Sequence, residues 1–209
     1  MSPTDIPAAS TEAALRTLTG VDATHLDALH ARLASAAEAT HLVDVAYRTI
    51  DTPVGALLLA ATDRGVVRVA YDREGFDDVL AVIAERIGPR VLHSPGRLDE
   101  AAHQLDEYFT GIRRSFDLPL DHHLSSGFRH SVQQYLPHIE YGHTLTYKQV
   151  AERVGNPNAV RAVGSACATN PLPVIVPCHR VLRSDGSLGG YVGGLDAKTT
   201  LLALEREAA

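Results

Sequence analysis

Residues 146–181 read TYKQVAERVGNPNAVRAVGSACATNPLPVIVPCHRV. Thr146 is placed to cap a helix over Tyr147–Val154, and Gln149 at its third position completes a capping box. Gly155-Asn156-Pro157 stops that helix. A second helix is expected over about Ala159–Ala168, ended by Asn170-Pro171. An Asn side chain favours such a turn by bonding nearby backbone. Two short helices with a tight Gly-containing turn form the pattern of a helix-turn-helix, although many helix hairpins share it. The apolar run Val174-Ile175-Val176 then leads into Pro177-Cys178-His179-Arg180. The thiolate is the reactive form of cysteine, and an adjacent imidazole or cation favours it. A lone buried Cys is otherwise inert core, and that reading fits Cys167, which sits among alanines inside the second helix.

Upstream, Phe128, Val132, Leu136 and Ile139 recur at helical spacing. Downstream, Leu188-Gly189-Gly190-Tyr191-Val192-Gly193-Gly194-Leu195 reads either as a flexible surface loop or as backbone folded closely around whatever the thiol attacks. No G-x-G-x-x-G frame makes it a phosphate loop. A last helix is expected over about Ala197–Arg206, where Glu205 by itself reads as an ordinary exposed charge.

Val43–Ile50, Ala56–Thr62 and Gly65–Tyr71 read as strands of a three-stranded antiparallel sheet, separated by turns at Asp51-Thr52-Pro53 and Asp63-Arg64-Gly65. Phe76–Ile87 and Leu98–Thr110 show helical spacing. The fold class expected is α/β, of α+β type. Residues 1–41 form a helical or partly disordered extension, 42–122 a small α/β domain, and 123–209 a mainly helical domain. In the extension Leu26, Leu29 and Leu33 recur at helical spacing within Asp22–Ala39, with a weaker pattern in Thr11–Leu18. No chemical motif is found there.

The formal net charge is -6, so no global basic field announces nucleic acid. The charge is uneven, however. Residues 1–123 carry 11 Lys/Arg against 19 Asp/Glu, a net of -8, and residues 124–209 carry 8 against 6, a net of +2. A polyanion would therefore meet the C-terminal part. Two cysteines make a poor disulfide framework and, without CxxC spacing, a poor zinc signature. His122-His123 reads as a solvated loop rather than a ligand pair. Neither a signal peptide nor an apolar run of membrane-spanning length is found, so no membrane partner and a cytoplasmic location are expected.

Arg161-Ala162-Val163-Gly164, Asn170-Pro171 and Pro177-Cys178-His179-Arg180, in this order and spacing, resemble the DNA-binding helix and active site of the O6-alkylguanine-DNA alkyltransferases. The similarity extends over roughly residues 43–207. It includes Thr52-Pro53-Val54-Gly55, Gln104–Phe109 and Phe116–Leu120. The resemblance implies a ribonuclease-H-like fold for the N-terminal α/β domain. It implies irreversible, single-turnover transfer of an alkyl group to Cys178, from O6-alkylguanine and also O4-alkylthymine in double-stranded DNA. No cofactor, no metal and a monomer are expected.

The resemblance further implies a proton relay from Glu205 to His179 to a bound water to Cys178. It implies that Tyr147 lies near the flipped guanine and helps to protonate it, that Asn170 belongs to the catalytic group, and that Arg161 fills the gap left by the flipped nucleotide. On the same resemblance Ala162 and Gly164 are expected to permit close approach to the minor groove, Lys148, Asn156 and Ser184 to complete the DNA contacts, and Tyr191, Val192, Gly189, Gly190 and Val181 to form the base pocket. Two positions depart from the family: Gln133 stands where bacterial members carry Trp, and Glu140 where they carry Pro. The sequence also lacks the cysteine cluster of the zinc-binding domain that precedes the alkyltransferase in some relatives. Two other classes remain: a non-catalytic binder of alkylated bases, against which Cys178 argues, and a cysteine hydrolase, which needs an oxyanion hole.

Overall fold

The computed structural model describes residues 23–207. The patterns read at Met1–Ser10 and Thr11–Leu18 lie outside the described residues. Contacts divide the chain into two compact units, Met1–Leu42 and Val43–Ala209. The first holds helix α1 (Ala23–Ala39), which exposes Leu26, Leu29 and Leu33 and buries Ala34.

The second unit opens with strands β1 (Val45–Ile50), β2 (Leu57–Thr62) and β3 (Gly65–Tyr71), paired antiparallel in sequence order. Gly65 makes the tight β2–β3 turn possible. Its φ is 133°, and a Cβ there would overlap the carbonyl of Pro119. Helix α2 (Phe76–Arg86) follows. The sheet has four strands rather than the three expected. The additional one, β4 (Val91–His93), pairs parallel to β1 at its edge. Its three residues, in the four-residue stretch between Gly88-Pro89 and Ser94-Pro95, are too few to show a period of two, so no strand pattern announces it. Helix α3 (Asp99–Phe109) completes this half.

β2 is buried along its whole length, and its two faces serve different partners. Leu58 and Ala60 join Val67 and Ala70 under Val79 and Ile83 of α2. Leu57, Leu59 and Ala61 join Val66, Val69 and Tyr71 in a second cluster. That cluster continues through α3 into the C-terminal half. A bulge at Ala60/Ala61 places one extra residue on β3, because Ala61 pairs with Val66 while Ala60 pairs with Arg68. A bulge re-aims the side chains that follow it. Here it turns Val69 and Tyr71 to the same face as Val66, toward the C-terminal half.

That half is built from α4 (Gly127–Tyr135), a two-residue strand β5 (Leu145–Thr146), α5 (Tyr147–Arg153), α6 (Val160–Ala168), strand β6 (Val181–Leu182) and α7 (Gly194–Glu207). The capping box at α5 is present: Gln149 N–H donates to Thr146 Oγ1 at 3.2 Å, and Thr146 N–H donates to Gln149 Oε1 at 2.8 Å. Gly155, at φ 77°, ends the helix-turn-helix's first arm. β5 and β6 pair in parallel and bring the start of α5 beside the segment that follows Cys178.

Gln133 is buried and fully used. Its amide donates to Ala166 O at 3.0 Å and its carbonyl accepts from Ser125 Oγ at 2.5 Å, so it fastens α4 to α6. Glu140 is exposed in the turn before Tyr141.

Candidate active site

After α6 the chain turns at Asn170 and runs fully buried to Arg180. Val174 adopts φ 72°, a left-handed conformation that β-branched residues avoid. Such a residue stores about 1–3 kcal/mol of strain and persists only where its surroundings enforce it. Four residues on, Cys178 opens a single 3₁₀ turn, Cys178–Arg180.

The Asn170 amide is oriented without ambiguity. Its Oδ1 accepts from Leu172 N–H at 3.1 Å, so Nδ2 faces the other way, to Val176 O at 2.8 Å and Cys178 Sγ at 3.2 Å. A donor aimed at sulfur favours the thiolate. Burial works against it and dominates, pushing the thiol up to about 11, while Asn170 and the charge of Lys198 pull it back. Lys198, also buried, lies on α7 and donates to Val181 O at 2.7 Å. Cys167 is buried too, and burial raises its thiol further than that of Cys178.

His179 is fully buried. Its Nε2 lies 2.8 Å from Glu205 Oε1, which fixes the tautomer: Nε2 carries the proton, and Nδ1 is the basic nitrogen. Nδ1 has no hydrogen-bond partner among the described residues. Buried unsatisfied polar atoms are few in native proteins and concentrate where chemistry needs them. Burial keeps the imidazole below the usual His range despite its carboxylate partner.

Glu205 is the hub. Oε1 accepts from His179, from Tyr108 O–H at 2.7 Å and from Arg180 NH2 at 2.9 Å, while Oε2 accepts from Arg180 Nε at 2.9 Å and Gly142 N–H at 3.3 Å. Burial alone would raise its carboxyl, but the bonds from His179 and Arg180 outweigh it and hold it at about 2. Arg180 is itself tied to Ile139 O at 2.5 Å.

Tyr147 is half-buried at the first position of α5, and burial holds its phenol above the usual range, so it remains an O–H donor. Its hydroxyl rests on Gly189, where any Cβ would overlap it. Tyr191 stands edge-on to His179, with ring centroids 6.3 Å apart. Val181 is buried, Val192 half-buried and Gly190 exposed.

Thus Cys178, His179, Glu205, Asn170, Tyr147, Tyr191, Gly189 and Val181 belong to one buried region and its rim. Arg161 and Ala162 are exposed on α6, Lys148 on α5, and Asn156 and Ser184 in loops, while Gly164 is half-buried. Among the described residues a Cβ at Gly164 would meet no atom within 4 Å outside its own helix backbone. Glycine inside a helix costs about 0.5–1 kcal/mol relative to alanine.

Sequence reasoning missed Tyr108, Lys198 and Gly142 in this network. For Lys198 and Glu205 a signal existed. They fall in phase with Ala197 and Leu201 on one face of α7, so two charges share the apolar stripe.

Residues 45–122 match the family model for the ribonuclease-like domain of 6-O-methylguanine DNA methyltransferase, and residues 127–207 match the model for its DNA-binding domain. A methylated-DNA–protein-cysteine methyltransferase of Mycolicibacterium paratuberculosis is 40% identical over 162 residues, which cover 78% of this chain and 93% of that protein. The constitutive enzyme of that name from Bacillus subtilis is 38% identical over 161 residues, covering 77% and 94%. The crystal structure of Mycobacterium tuberculosis O6-methylguanine methyltransferase superposes with a TM-score of 0.69 at 37% identity, covering 79% of this chain and 94% of that one. The same Mycobacterium tuberculosis protein in complex with DNA gives 0.67, also at 37% identity, covering 78% and 94%. With this likeness over both halves, the chain belongs to the methylated-DNA–protein-cysteine methyltransferase family.

Proposed function

We propose that this protein repairs DNA by direct reversal, taking the alkyl group of O6-alkylguanine, and of O4-alkylthymine, onto Cys178. One observation carries the reading: a buried thiol held by an amide donor stands next to an imidazole with one nitrogen pinned by a carboxylate and the other unpartnered. The thiol proton passes to His179 Nδ1 through the water of the family's relay. Sγ forms a bond to the alkyl carbon as the C–O6 bond breaks, and Tyr147 donates its proton to the departing guanine. His179 releases the proton to solvent and Tyr147 regains one from solvent, so the net change is one alkyl group moved from O6 to sulfur and one proton from sulfur to guanine. The product is a thioether. A thioether resists hydrolysis at neutral pH, so each molecule acts once.

The lesion lies inside the duplex, so the nucleotide must be extruded. Arg161, exposed on α6, fills the gap. Ala162 and Gly164 let the helix approach the minor groove, with Lys148, Asn156 and Ser184 flanking. Both cysteines are free thiols. A DNA substrate and a thiol that must stay reduced support a cytoplasmic location. Among the described residues no helix is long and apolar enough to cross a membrane.

Intact mass after incubation with a duplex bearing O6-methylguanine tests the reading. The expected result is a persistent gain of one methyl group, mapped to the Cys178 peptide. No gain with retained binding selects a non-catalytic binder, and turnover of an ester selects a hydrolase. Arg161→Ala should slow repair of duplex at least ~10-fold more than attack on free O6-alkylguanine, which has no stack to leave. Equal loss on both substrates assigns Arg161 to the pocket instead.

A further inference from the structure

We infer that Tyr71, at the end of β3, sets the size of the alkyl group that the pocket accepts. The inference rests on Cys178 being the alkyl acceptor and on the Leu188–Gly194 loop walling the base pocket. Tyr71 is buried, and its hydroxyl lies 3.0 Å from that of Tyr191. The two rings meet edge to face, with centroids 5.8 Å apart. Two residues on, Gly193 lies flat on the Tyr71 ring: a Cβ there would sit 2.5 Å from Cζ. At Gly194, with φ 89°, a Cβ would overlap the Arg73 guanidinium. The glycines that end the loop are therefore demanded by contact with β3 and the turn after it. The loop cannot move outward here without lifting off Tyr71.

Tyr71 is in turn immobilised. Its N–H donates to Glu74 Oε1 at 2.8 Å, and Glu74 pairs with Arg68. Arg68 NH1 donates to Pro171 O at 3.2 Å, and Val69 N–H donates to the same oxygen at 2.8 Å. β3 is thus fastened on one side to the Asn170-Pro171 turn, whose amide touches the nucleophile, and on the other to the pocket loop. The β3 bulge makes this possible. In the unbulged register Tyr71 would face α2 with Val67 instead of joining the cluster that includes Cys178.

A wall backed in this way admits a small substituent but must be displaced by a large one. Packed interiors resist such displacement, and one methylene of misfit in an apolar pocket discriminates by about 10–200-fold. Removing the ring leaves room into which Gly193 and Tyr191 can recede.

The test compares rates on two duplexes, one bearing O6-methylguanine and one bearing O6-benzylguanine, for the full-length protein and three variants. In Tyr71→Ala the benzyl-to-methyl rate ratio should rise by about tenfold or more. Tyr71→Leu, which stays apolar and is a second route if the Ala variant fails to fold, should raise it less. Tyr71→Phe keeps the ring and loses only the hydroxyl bond to Tyr191, so its ratio should stay within about twofold of wild type. Equal slowing on both substrates in the Ala or Leu variant would reduce Tyr71 to a fold support and overturn the inference while leaving the repair function intact. A wild-type protein that alkylates Cys178 with neither duplex would overturn the function and the inference together.

Discussion

Cys178→Ser should accept no methyl group from O6-methylguanine duplex, at any time within reach of the assay, while its affinity for the duplex stays within a few fold of wild type. Cys167→Ser should be methylated at close to the wild-type rate. The two substitutions are equally small and both thiols are buried, but their surroundings differ. Asn170 donates to the sulfur of Cys178, and the adjacent residue carries an imidazole whose Nδ1 has no partner among the described residues. Cys167 sits in α6, and burial holds its thiol higher still.

Burial pushes the Cys178 thiol up to about 11, so the thiol form dominates at pH 7. In the proposed reaction a base takes the proton as the sulfur attacks. Such assistance contributes roughly 10²–10⁴ in rate. Serine at this position starts from a far weaker acid, and the same imidazole cannot make up the difference. Methylation of the Ser variant, or loss of methylation in Cys167→Ser, measured by intact mass, would reverse the assignment.

Much of this was legible in the chain because local chemistry and tertiary structure agree. The Thr146–Gln149 capping box, the Gly155 stop and the Asn170 turn are short-range signals, and α5, α6 and the buried run to Arg180 follow them. The β-hairpins were legible for the same reason. What stayed hidden depends on distance in sequence. Tyr108 sits in phase with Ala101 and Leu105 on the buried side of α3 and reads as core. Nothing local shows that its hydroxyl meets a carboxylate 97 residues away. The bulge that turns Tyr71 toward the cluster that includes Cys178 is a register event between two apolar strands, and an apolar residue gives little sign of which face it occupies. Glu205 came from the family resemblance. Its buried partners explain why a carboxylate lies on the inner face of the last helix.

Glu205→Gln tests that network with the largest expected cost in stability. The replacement has the same shape but exchanges one oxygen for a donor. Oε1 and Oε2 both accept: one faces His179, Tyr108 and Arg180, the other Arg180 and Gly142 N–H. Either orientation of the amide therefore points an N–H₂ at donors, and the buried Arg180 loses its counter-charge. Removing one partner of a buried pair costs about 3–5 kcal/mol, far more than the worth of a surface pair. The pH dependence carries the sign. The Glu205 carboxyl is held at about 2, below its ordinary 4.5, so its stabilisation is complete above pH 4.5 and is lost as pH falls toward 2. His179 is held below 6.5, so the unfolded chain takes up a proton before the folded one does, and stability also falls as pH drops below 6.5. The gap between wild type and Glu205→Gln in urea unfolding should therefore be full at neutral pH and narrow below pH 4.5, while the wild type itself weakens from 6.5 downward. Alkyl transfer at neutral pH should fall by about 10² in the variant, because His179 loses the charge that stabilises its protonated form. His179→Ala should slow transfer similarly. The double variant should cost much less than the sum, since both act on one proton path. Additive losses, or a stability gap that does not narrow in acid, would mean that Glu205 and His179 work independently.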